Sequence, residues 1–129
     1  MSIEMTLLIW STAVAAIYIM VQSAFYRLDH GVIYAGSARD NERAPNILNA
    51  RADKALRNFL ETYGIFIALA VATELTGRSG GLTQWGATIW LAMRVFYLPA
   101  YVSGIPFLRS GIWMVSAAGL VMMFVGVAF

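Results

Sequence analysis

Apolar residues run almost unbroken from Ile3 to Phe25, from Asn58 to Leu75, from Leu82 to Tyr101 and from Gly111 to Phe129. Each run suffices to cross a hydrocarbon core of about 30 Å as a helix, so the pattern predicts four membrane-spanning helices rather than a soluble core. Polar positions gather between the first two runs, from Tyr26 to Asn49, where Gly31, Gly36, Pro45 and a run of charges predict a loop lying partly on the membrane surface. Asn46 or Asn49 stands where it can cap the following helix. A helix from about Ile47 to Thr76 would be roughly 40 Å long, so its first turns project beyond the apolar core. The segments "TGRSGG", Thr76 to Gly81, and "SGIP", Ser103 to Pro106, read as tight turns. Helices over about 3–25, 47–76, 82–101 and 110–129, with the loop 26–49, compose one all-α domain, an up-and-down four-helix bundle.

Composition strengthens that reading. The chain is 60% hydrophobic and only 12% charged, with a mean hydropathy of +0.68, which sets it apart from soluble domains of this size. The first run carries Glu4, lacks a basic region before it and is longer than a signal-peptide core, so it is expected to be a retained helix. Small residues spaced by four, such as Ser11 with Ala15 and Ala68 with Ala72, suit close helix packing. The net charge of +2 reflects topology rather than a nucleic-acid partner, because the basic residues form no soluble patch interleaved with aromatics. Arg27, Arg39, Arg43, Arg51, Lys54 and Arg57 crowd the first connection, against Arg78 alone in the second. This asymmetry predicts a cytoplasmic first loop with both termini outside. There is no cysteine, hence no disulfide, thiolate metal site or cysteine nucleophile. Thiol chemistry would need a thiol carried in by a ligand. No metal-ligand spacing, phosphate-binding loop or serine triad is present, and His30 is a lone loop histidine.

One constellation stands out against this apolar background. Arg51, Lys54, Asn58 and Glu61 are spaced by three, four and three, which places them within an arc of roughly 80° on a helix. Arg94, Tyr97 and Tyr101 share a face of the third helix, which returns toward the same end. The two stripes can meet, with Glu61 and Arg94 at similar depth and Arg109 joining from the start of the fourth helix. Two readings of each feature are open. Arg51, Lys54 and Arg57 serve topology or a ligand; Glu61 with Arg94 is a structural ion pair or part of a site; Tyr97, Tyr101 and Trp113 are interfacial belt residues or pocket walls.

At these residues the chain resembles the membrane-associated proteins in eicosanoid and glutathione metabolism, the MAPEG family. The segment "RADKALRNFLET", Arg51 to Thr62, is similar to the family's second-helix pattern, and "RVFYLPAYVSGIPFLRSGIW", Arg94 to Trp113, to its third-helix arginine, aromatic positions and later arginine. The resemblance implies a homotrimer that binds glutathione between subunits at the cytoplasmic side and receives a lipophilic co-substrate from the membrane lipids. It further implies that Arg51, Lys54, Arg57, Asn58 and Glu61 hold the tripeptide and that Arg94, Tyr97 and Tyr101 complete the pocket. Arg109 would stand beside the thiol, with Ser110 and Trp113 lining the same site. Lys54 occupies a position where the family usually has arginine, and with the spacing from Tyr101 to Arg109 this suggests a divergent bacterial-type member rather than an eicosanoid synthase, placed in a bacterial inner membrane.

The chemistry of the residues agrees with that implication. Glutathione has two carboxylates and one ammonium, matching several cations and one carboxylate, and a nearby arginine favours the nucleophilic thiolate. The expected activity is a glutathione-dependent transferase or peroxidase acting on lipophilic electrophiles or lipid hydroperoxides. The alternative is a noncatalytic membrane protein of the same fold that binds a small anionic or lipid ligand or serves assembly.

Overall fold

The computed structural model describes residues 1–129, all helix and connection without a strand. The helices are α1 (Ile3–His30), α2 (Val32–Ala35), α3 (Ile47–Thr76), α4 (Gly81–Ser103) and α5 (Leu108–Ala128). By length and hydropathy α1, α3 and α5 qualify to cross a membrane. The apolar pattern predicts a fourth span in α4, but this 23-residue helix falls short of the same measure. Thr83, Gln84, Thr88 and Arg94 lower its mean hydropathy.

Local chemistry sets the helix ends. The Ser2 hydroxyl accepts from the Met5 amide at 3.1 Å and opens α1. Of the two candidate asparagines before α3, Asn46 is the cap, accepting from the Asn49 amide at 2.9 Å. Asn49 itself donates to Asp29 Oδ2 at 3.0 Å, tying the start of α3 to the end of α1. α1 continues past Phe25 to His30, where Gly31 turns the chain at φ 86°. Gly77 and Gly104 close α3 and α4 in left-handed conformations at φ 67° and 72°, which glycine adopts without a Cβ penalty.

Contacts between distant residues fix alternating helix directions. At one end Glu4 accepts from the hydroxyls of Thr83 and Ser79 at 2.6 and 2.8 Å, and Glu74 accepts from the Ser2 amide at 3.0 Å. The beginnings of α1 and α4 therefore lie beside the end of α3. At the other end Arg51, near the start of α3, donates to the Val102 carbonyl at 3.1 Å. α5 returns antiparallel to α4, since Gly126 lies against Thr83 and Gly119 against Gly86. The core between the helices is aromatic: Phe66 stacks on Trp90 at 4.0 Å, with Phe59 and Tyr63 beside it.

Candidate functional site

The helical stripes identified by spacing do converge, through different partners than their charges suggest. Arg94 is essentially fully buried at mid-bundle. Its guanidinium donates to Asn58 Oδ1 at 2.7 Å and to the Thr62 hydroxyl at 3.1 Å. Tyr18 of α1 donates to the Arg94 carbonyl, so three helices meet at one residue. The Glu61–Arg94 pair allowed by the sequence does not form, and Glu61 is exposed on α3. Asn58 and Thr62 are a turn apart and face α4 together, whereas Glu61 is rotated about 60° from Asn58. Thr62 was not singled out by sequence, although its position four residues after Asn58 is a usable signal. Tyr18 offered none.

From Arg94 a ladder of rings and cations descends to the end of the bundle. The guanidinium lies 4.9 Å from the Tyr97 ring centre, Tyr97 meets Tyr101 edge-on at 5.8 Å, and Arg109 covers Tyr101 at 4.9 Å. The buried Tyr97 hydroxyl and Arg94 Nε have no hydrogen-bond partner within the chain. Such orphaned groups are costly in an apolar bundle.

Below the ladder a cleft of about 370 Å³ opens between α3 and the α4–α5 turn. Arg51, Tyr101, Arg109 and Ser110 line it, and no carboxylate does. Neither arginine is in an ion pair. Gly104 suits this place through its left-handed backbone at φ 72°, and a Cβ there would stand 2.6 Å from the movable Arg51 guanidinium. The cleft is therefore a cationic opening suited to anions.

The remaining sequence candidates lie elsewhere in the chain. Lys54 and Arg57 are exposed on α3, and Arg57 pairs with Asp53 at 3.1 Å. Trp113 lines a separate, largely apolar groove of about 400 Å³ between α3 and α5, with Thr62, Leu69, Leu120 and Phe124. Thr62 borders both this groove and the Arg94 clamp. No group of three or more potential metal ligands is present.

A family model for the MAPEG family matches residues 5–129. No curated protein and no solved structure matches the chain.

Proposed function

The chain belongs to the MAPEG family and is an integral membrane protein, and from that premise we propose a glutathione-dependent membrane transferase or peroxidase. The observation that carries the reading is the cleft with two unpaired arginines, Arg51 and Arg109, and no acidic residue. Its chemistry fits glutathione, whose carboxylates and thiolate are anionic. Bound there, glutathione supplies a thiolate able to add to an electrophilic carbon or to reduce a lipid hydroperoxide.

The chain's own residues have separable tasks in this proposal. Arg109 holds negative charge on sulfur and lowers the thiol's affinity for its proton. Arg51 and Ser110 anchor the tripeptide, and Tyr101, backed by the buried Tyr97, forms the aromatic wall beside it. Arg94, held by Asn58 and Thr62, keeps the wall of the site in place. The apolar groove beside Trp113 takes the lipophilic co-substrate from the bilayer, close to the Arg94 clamp. Lys54, Arg57 and Glu61 face away from the cleft of their own chain, which fits a role toward a neighbouring subunit of a homotrimer. The arginine-rich α1–α3 connection is assigned to the cytoplasm, with both termini outside, in a bacterial inner membrane.

A noncatalytic reading is favoured by one observation, that both terminal nitrogens of the Arg94 guanidinium are already bonded within its own chain. Consumption of glutathione with an activated aryl halide by the purified protein in detergent separates the two. Arg109→Ala is expected to abolish turnover while the protein remains folded. Undiminished turnover in this variant would overturn the assignment of Arg109, and no turnover or glutathione binding in the unaltered protein would favour the noncatalytic reading.

A further inference from the structure

The connection between α1 and α3 folds into a second cationic surface, distinct from the Arg51–Arg109 cleft. Arg39 lies over the Tyr26 ring at 4.1 Å and Arg43 over the Tyr34 ring at 4.3 Å, while the two rings are themselves nearly parallel. The Tyr34 hydroxyl donates to the carbonyls of Arg39 and Asn41, at 3.1 and 3.4 Å, and both acceptor residues have left-handed backbones. The ring thus fixes the turn that presents Arg39. Neither Arg39 nor Arg43 has a carboxylate partner; their protein bonds go to the Ala35 and His30 carbonyls. Both line a cavity of about 330 Å³, with Glu42 and the Asp53–Arg57 pair at its walls.

Arg43 also lines a second opening of about 410 Å³ with Val32 and Ile33. Ile33 is 92% exposed, Val32 72% and nearby Leu28 81%. An exposed apolar edge next to stacked guanidinium groups, at the end of a membrane-spanning helix, has the chemistry of the bilayer interface. We propose that this surface binds the phosphate of an anionic phospholipid headgroup through Arg39 and Arg43, with Leu28, Val32 and Ile33 entering the adjoining acyl region. The occupant is a lipid rather than a soluble anion because Arg43 lines both the cavity it shares with Arg39 and the adjoining opening edged by Val32 and Ile33. The inference rests on membrane embedding alone and is independent of the glutathione reading.

Native mass spectrometry can count lipids bound to the purified protein from detergent micelles containing phosphatidylcholine with or without phosphatidylglycerol. Phosphatidylglycerol is expected to be retained preferentially, and each arginine replaced by glutamine should weaken its retention about fivefold. Arg39→Gln/Arg43→Gln should therefore lose most of the preference while keeping wild-type helix content by circular dichroism. Ile33→Asn should weaken retention of the lipid without changing the effect of added inorganic phosphate. Equal retention of both lipids, an unchanged preference in the folded double variant, or displacement of the lipid by inorganic phosphate alone would overturn the proposal.

Discussion

A buried guanidinium in a membrane helix is stable only if its hydrogen bonds are made, and Arg94 shows how narrowly this chain meets that condition. Two of its nitrogens reach Asn58 and Thr62, while Nε has no partner in the chain. Arg94→Ala would remove those bonds and leave a cavity beside Trp90 and Tyr97, to which the guanidinium now lies close. The expected loss is about 3 kcal/mol, the lower part of the range for breaking a buried charged network. Thermal unfolding in detergent should show it as a clearly lowered Tm. Arg109 is exposed and lies over the face of Tyr101, so Arg109→Ala should change stability by less than about 1 kcal/mol. An equal fall in Tm for both variants would refute this separation of a structural from a chemical arginine.

The elements meet where glycine permits them to. A Cβ on Gly86 would stand 2.5 Å from the Gly119 carbonyl oxygen, and one on Gly119 would stand 2.6 Å from that of Gly86. Because backbone cannot yield as a flexible side chain does, Gly119→Ala should separate α4 from α5 at a cost of about 1–3 kcal/mol. Gly111→Ala, with nothing within 4 Å, is the matched control and should leave Tm nearly unchanged. Gly104 is different, since the atoms in the way belong to the mobile end of Arg51. Gly104→Ala is expected to push Arg51 out of the cleft, strain a backbone at φ 72° and weaken glutathione binding more than it lowers Tm. Calorimetry and thermal melts on one preparation would show whether the two effects diverge.

The same scale shows what the sequence could and could not reveal. Helical spacing placed Asn58, Arg94, Tyr97 and Tyr101 on converging faces, because a helix converts intervals of three and four into a stripe regardless of its surroundings. It could not tell which edge of an 80° stripe looks inward, so opposite charge suggested Glu61 for Arg94 where the fold supplies Asn58 and Thr62. Tyr18 and the Glu4–Ser79–Thr83 cluster were equally invisible. Each joins residues more than seventy positions apart, and no local period encodes such a meeting.

Across the whole molecule, polar ties close both ends of an otherwise apolar assembly. Glu4 with Ser79 and Thr83 holds one end, and Asp29 with Asn46 and Asn49 holds the other. Between them, Lys54 and Glu61 remain exposed on α3 without a counter-ion in their own chain. Glu61 lies roughly 20 Å along α3 from Ile47, one turn inside the apolar run, where a carboxylate facing hydrocarbon is unfavourable. A neighbouring copy of the chain would cover this face and supply the missing partners, consistent with the homotrimer proposed above. If the glutathione site is shared between copies in this way, assembly and binding are linked: glutathione should stabilise the oligomer, and dissociation should abolish binding. Dilution into excess detergent, followed by sedimentation to assign oligomeric state and calorimetry on the same samples, measures both quantities. Single chains that bind glutathione with undiminished affinity would place the complete site within one bundle and remove the reason for giving Lys54 and Glu61 a role across an interface.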